Sequence, residues 1–160
     1  MRLAILTISD AGSRGQRPDG SGDAIAGWAA ERGDVVAARR LVPDDAAAIG
    51  AALSEWADGD TADLILTTGG TGLTARDVTP EATRAILHKE APGIAEALRM
   101  TAYPRFHHAA LSRGTAGVRA RTLIVNLPGG TGGVRDGLEI LADLVEHAVE
   151  LVRGDRTGHD

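Results

Sequence analysis

The chain has no cysteine, which removes disulfides, thiolate metal sites and a thiol nucleophile from consideration. Aromatic residues make up only 2% of it, too few for the stacked ring platforms that read single-stranded nucleic acid. Positive charge is not in excess either. A net charge of -5 argues against a general nucleic-acid or anionic-membrane surface and leaves room only for a local basic pocket. No apolar run approaches the roughly 20 residues of a membrane span, and the run from Leu3 to Thr7 meets Asp10 too soon for a signal peptide. A soluble, cytoplasmic protein is the expectation. No serine sits in a nucleophile-elbow context, no lysine closes a Walker-type loop, and there is no Gly-x-Gly-x-x-Gly.

What is present is alternation. At 160 residues the chain is expected to form one domain, 1–160, that buries on the order of 70% of its unfolded surface, with a core of Ala, Val, Leu and Ile. Apolar runs at Leu3 to Ile8, Ala62 to Leu66 and Thr122 to Leu127 read as strands buried on both faces. Val35 to Val42, interrupted by Arg39 and Arg40, reads as a strand nearer a sheet edge. Helices are predicted from Ser21 as cap to about Arg32, and from Asp44 as cap through Asp45 to Trp56. Others follow from Thr79 as cap, with Pro80 in the first turn, to His88, over Ile94 to Thr101, and from Val134 to Val152. Tyr103 to Arg121 has no clear period and accommodates a short helix around Ala109 to Ser112 followed by a loop. Gly154 to Asp160 reads as a flexible tail. This order predicts an α/β fold with a parallel sheet covered on both faces.

The most informative stretch is the end of the third strand. Thr67 and Thr68 run into Gly69, Gly70, Thr71 and Gly72, then Arg76 and Asp77, before the helix at Thr79. Glycines let the backbone turn and expose successive N–H donors, and a following helix start adds the positive end of its dipole, which suits an anion. Asp77 is placed to hold a Mg²⁺ ion bridging nucleotide phosphates, because Mg²⁺ prefers oxygen ligands. A tight connection without a ligand is the plain alternative. Other strand ends also carry small polar loops: Ser9, Asp10 and Ser13 after the first strand, Pro43 and Asp44 after the second, and Pro128, Gly129 and Gly130 after the last. In parallel sheets ligands bind outside the carboxyl ends of the strands, where these loops converge. Arg76 suits either a phosphate or a neighbouring carboxylate. Adjacent His107 and His108 point apart in regular structure and lack a carboxylate at zinc-like spacing.

Thr67-Thr68-Gly69-Gly70-Thr71-Gly72 followed by Arg76-Asp77-Val78-Thr79-Pro80-Glu81-Ala82 resembles the signature of the molybdopterin adenylyltransferases, the MogA and MoaB type, similar to the G domain of gephyrin. Ser9-Asp10 with Ser13, Gly15, Asp19, Ser21 and Gly22, then Pro43-Asp44, Pro92-Gly93, Leu111-Ser112-Arg113 and Asn126-Leu127-Pro128-Gly129, carry the resemblance along essentially the whole chain. It implies a single-domain, three-layer α/β/α sandwich with a mostly parallel sheet, assembled as a homotrimer or larger oligomer. It also implies Mg²⁺, with ATP and molybdopterin as substrates that yield adenylyl-molybdopterin and pyrophosphate, and a downstream metal-insertion enzyme as a partner. By resemblance Asp77 and Asp44 are the catalytic aspartates. Thr68, Gly69, Gly70, Thr71 and Gly72 form the substrate loop, with Ser9, Asp10, Ser13, Pro128, Gly129 and Gly130 around it. One departure stands out: the family commonly continues Asn-Leu-Pro-Gly with serine and then proline, whereas this chain has Gly130 and Thr131. Thr131 or the Gly130 N–H is the substitute. A non-catalytic molybdopterin carrier of the same fold is the second function the resemblance admits, and a competence-damage-type relative the third.

Overall fold

The structure is a computed structural model and describes residues 1–154. The tail expected from Gly154 to Asp160 therefore lies, past Gly154, outside the described residues. A six-stranded sheet runs in the order β2-β1-β3-β6-β5-β4, with β1 Arg2–Ile8, β2 Val35–Val42, β3 Leu64–Thr68, β4 Lys89–Glu90, β5 Ala116–Arg119 and β6 Thr122–Leu127. β2, β1, β3 and β6 pair in parallel, and β5 and β4 extend the sheet antiparallel. The helices are α1 Asp10–Ser13, α2 Gly20–Glu31, α3 Ala46–Asp58, α4 Thr79–Ile86, α5 Pro92–Ala102, α6 Thr131–Ala142 and α7 Val145–Arg153, with a 3-10 turn at His107–Leu111.

Strand periodicity divides the core in two. Leu3, Ile5, Leu64, Leu66, Leu123 and Val125 face Ile25 and Ala29 of α2, Val134, Leu138 and Leu141 of α6, and Val149 of α7. Their neighbours Ala4, Leu6, Ile8, Ile65 and Ile124 face Ile49, Leu53 and Trp56 of α3 and Ala82 of α4. Because successive side chains alternate across a strand, runs apolar at every position need cover on both sides, and this gives the three layers. β2 lies at an edge as expected, with Val35 62% exposed. Among the described residues no helix is long and apolar enough to cross a membrane.

Local details correct the sequence reading. Asp45, not Asp44, caps α3, its side chain accepting from the Ala48 N–H. Asp19, not Ser21, caps α2. Thr79 is already helical and Val78 is the cap of α4, because the Thr79 hydroxyl is spent on the Gly69 carbonyl. α4 ends at Ile86, short of the expected His88, and just past it Lys89–Glu90 joins Ala116–Arg119, part of the stretch without a clear period, in a strand pair. The helix expected over Val134 to Val152 is two. The Leu144 N–H bonds back to the Leu141 carbonyl at 2.9 Å, an i to i-3 step that tightens the chain while keeping Leu141 and Val145 both buried.

Candidate active site

β1 pairs with β2 and β3, and β3 with β6, all in parallel, so the carboxyl ends of four strands lie side by side. Their loops enclose a cleft of about 490 Å³. Of the residues singled out from the sequence, Ser9, Asp44, Thr68, Gly69, Gly70, Asp77, Gly129 and Gly130 line it. Pro128 lies on the far side of its loop, in a more apolar cavity of about 370 Å³ between α5, the 3-10 turn and α6. Asp10, Ser13, Thr71 and Gly72 support the cleft without lining it. The Ser13 hydroxyl donates to the Asp10 carbonyl at 2.9 Å, and the buried Thr71 accepts the Arg113 N–H at its carbonyl.

The glycine loop is held by close approaches. Gly69 has φ +98°, and a Cβ there would lie 2.2 Å from the Ile8 carbonyl oxygen; at Gly70, φ +67°, it would lie 2.3 Å from Thr79 Oγ1. Only glycine fits either place. Thr79 closes the neck of the loop, donating its hydroxyl to the Gly69 carbonyl at 2.9 Å and its N–H to the Gly70 carbonyl at 3.1 Å. Thr68 donates to the Pro128 carbonyl at 2.7 Å, and Ser21 to the Gly129 carbonyl at 2.8 Å, so the glycine loop, the 128–130 loop and α2 are stitched together.

Three aspartates surround one side of the cleft. Asp77 Oδ2 accepts from the N–H and the hydroxyl of Thr74, at 2.8 and 2.7 Å; among the described residues no group donates to Oδ1. Asp44 Oδ2 accepts from the Asp10 N–H, and Asp10 Oδ1 from the Asp44 N–H. Arg76, open between two roles in the sequence, grips Asp10 through Nε at 3.0 Å and Nη2 at 2.9 Å. That guanidinium holds the Asp10 carboxyl below the usual carboxylate range. Burial pushes Asp44 the other way, and the charges of Asp10 and Asp77 add to the rise.

A cation fits these donors. Among the described residues no three His, Cys, Asp or Glu side chains gather into a metal cage, but Mg²⁺ is commonly held by one or two carboxylates with substrate phosphates and water completing its shell. Asp44 carries a charge raised in cost by two like neighbours, and Asp77 has an oxygen without a donor. In the same cleft α6 begins at Thr131 with Gly130 as its cap and, among the described residues, no side-chain cap bond. The first-turn N–H groups and the positive end of α6 thus open on the cleft through Gly130 and Thr131.

Several contributors escaped the sequence reading. Arg17 lines the cleft in a loop with no periodicity to mark it. Asp19, only a motif residue in the sequence, accepts from Thr7, from the Gly22 N–H and from Arg39 at 2.7 Å; the Asp-x-x-Gly spacing was its one signal. Two further arginines, Arg113 and Arg119, lie on other parts of the chain. Both are engaged within this chain, Arg113 with Gly72, Asp77 and Glu81 and Arg119 with Asp58 and the Ile86 carbonyl.

Residues 4–147 match the family described as "Probable molybdopterin binding domain". The chain is 36% identical over 157 residues to a molybdopterin adenylyltransferase of Helicobacter pylori strain J99, covering 97% of this chain and 89% of that one. It is 38% identical over 154 residues to the molybdenum cofactor synthesis protein cinnamon of Drosophila melanogaster, spanning 96% of this chain but only 26% of that longer protein. Its fold overlays on the crystal structure of the molybdopterin biosynthesis enzyme MoaB from Thermus thermophilus with a TM-score of 0.90, at 51% identity and 96% coverage of each chain.

Proposed function

The chain belongs to the molybdopterin-binding domain family of molybdenum cofactor biosynthesis, and from that premise we propose that it is a Mg-ATP-dependent molybdopterin adenylyltransferase. The observation that carries the reading is one cleft with Asp44 and Asp77 on one side and a glycine loop and uncapped α6 start on the other. An oxygen of the terminal phosphate of molybdopterin forms the new bond to the α-phosphorus of ATP. The bond from that phosphorus to its bridging oxygen breaks, and the electron pair leaves with pyrophosphate. The attacking phosphate monoester is already ionised near neutral pH, so the protein's task is positioning and charge.

The Gly70 N–H of the glycine loop and the N–H groups of the α6 first turn bind and orient phosphate oxygens. Thr79 keeps the first of these loops closed, and Thr68 and Ser21 hold the second against it. Asp77, with Asp44 beside it, would hold Mg²⁺, whose charge offsets that of the polyphosphate. The reading includes a cytoplasmic homotrimer that passes its product to a metal-insertion enzyme.

Gly130, in place of the family's common serine, favours a second reading, a molybdopterin carrier without transfer activity. The experiment that separates them is pyrophosphate release from Mg-ATP with and without molybdopterin, for wild type and Asp77→Asn. Release that requires the pterin and falls about 10²-fold in the variant, the scale of one preorganised electrostatic group, supports the transferase. Molybdopterin binding without any pyrophosphate supports the carrier.

A further inference from the structure

Loop 69–78 is tied at its neck by Thr79 and at its tip by the turn in which Asp77 accepts from Thr74. Its middle is held by one side chain from another part of the chain. Arg113 Nε donates to the Gly72 carbonyl at 2.8 Å and Nη2 to the Asp77 carbonyl at 2.8 Å. Nε and Nη2 form one edge of the guanidinium, so a single rigid plane spans the two carbonyls. Nη1, on the other side, is anchored by Glu81 in the first turn of α4. The Arg113 N–H adds a fourth tie, to the Thr71 carbonyl at 2.9 Å.

We infer that Arg113 is a positioning residue, which sets the place of the Asp77 carboxylate by clamping the backbone on both sides of it. The inference rests on the reading of Asp77 as the Mg²⁺ ligand. Its physical basis is the fork. Five donors in a fixed plane can fix two carbonyls and a carboxylate at once, whereas an ammonium on a flexible stem satisfies one and leaves the others to move. The two carbonyls would also lose their partner in a part-buried place, which favours rearrangement of the loop over keeping them unbonded. Glu81, in the first turn of α4, is the peg that orients the guanidinium.

The test uses full-length wild type, Arg113→Lys, Glu81→Gln and Asp77→Asn. Mn²⁺ binding in the presence of ATP, read by electron paramagnetic resonance, is measured beside the Mg²⁺ concentration for half-maximal pyrophosphate release. Arg113→Lys should weaken Mn²⁺ binding and raise the Mg²⁺ requirement at least ten-fold, with the KM for molybdopterin within two-fold of wild type. Amide exchange across residues 71–78 should rise while the melting temperature stays close to wild type. Glu81→Gln should move the same quantities the same way, by less. If Asp77→Asn loses Mn²⁺ binding and Arg113→Lys does not, the positioning role is overturned and the function stands. If Asp77→Asn binds Mn²⁺ as wild type does, the metal reading of Asp77 is overturned, and the positioning role with it.

Discussion

The Asp10 N–H donates to Asp44 Oδ2 at 2.9 Å while the Asp44 N–H donates to Asp10 Oδ1 at 3.0 Å. Each carboxylate thus caps the other's backbone, and the loops after β1 and β2 are locked edge to edge. The exchange is symmetric in bonds and asymmetric in charge. Arg76 neutralises Asp10, whereas among the described residues no cation pairs with Asp44, which faces Asp10 and Asp77. A negative site is thereby held open on the cleft side of the pair, which is what a cation and a polyphosphate together require.

Asp44→Asn should separate stability from activity. Burial first, then like charge, raises the folded-state value of this carboxyl. The stability it lends is therefore fully present below its unfolded value and is lost as pH rises through the folded one. Asparagine keeps an acceptor for the Asp10 N–H and removes the charge. At pH 7 the variant should melt no lower than wild type and up to about 4 °C higher, the change made by about 1 kcal/mol in a chain of this size. The difference should close as pH falls and Asp44 takes up its proton. Turnover should drop about 10²-fold. Calorimetry across pH beside pyrophosphate release checks both parts, and a variant that melts several degrees lower at pH 7 would remove the strained-charge account.

Arg76→Gln probes the other half of the exchange. The guanidinium hydrogen bonds are the first cause of the low Asp10 value, so the titration midpoint of Asp10, followed by carboxyl carbon NMR, should rise towards that of an ordinary aspartate. In wild type the stability that Asp10 lends is present above its unfolded value and lost as pH falls through the depressed folded one; the variant should lose it at higher pH. Arg76 is 64% exposed, so the melting temperature at neutral pH should move little. Asp44 then faces an Asp10 charge no longer offset. The acid limb of the activity profile should shift upward, and an unchanged Asp10 titration would show that the pair seen here contributes nothing in solution.

The layers were legible because β1, β3 and β6 each carry an unbroken apolar run, Leu3 to Leu6, Leu64 to Leu66 and Leu123 to Val125, a pattern that only a strand covered on both faces sustains. β5 was not, since Ala116-Gly117-Val118-Arg119 is short and mixed, and its place depends on contacts far along the chain. A Cβ at Gly117 would lie 2.3 Å from the Lys89 carbonyl oxygen, a closeness no local pattern records. The break between α6 and α7 was hidden because the apolar face continues through it. In the site, the glycines and Asp77 were visible through their loop, and Asp44 only through the family resemblance. Arg76 on Asp10 and Arg113 on Asp77 span 66 and 36 positions, and a pairing over such separations is settled by the fold. Asp44 and Asp45 offer equal caps on paper; Asp10, across the rim, decides between them.

Gly130→Ser tests the one departure from the family pattern. Gly69→Ala is its contrast. A methyl group at Gly69, held at φ +98°, would meet the Ile8 carbonyl oxygen, and a loss of about 2 kcal/mol or more is expected from the conformation and the collision together. Gly130 has φ -81° and ψ 137°, and among the described residues nothing lies within 4 Å of a Cβ there. That is the extended geometry of a helix cap, so serine should fit and stabilise α6 by a few tenths of a kcal/mol. Its hydroxyl then has two uses: to cap the first-turn N–H groups or to donate to the molybdopterin phosphate. A hydrogen bond to a charged group contributes about 1.5 kcal/mol or more, so donation should lower the KM for molybdopterin about ten-fold with kcat unchanged. Higher stability with an unchanged KM would mean that the hydroxyl caps the helix, and that in the natural chain the bare N–H groups of α6 hold the phosphate themselves.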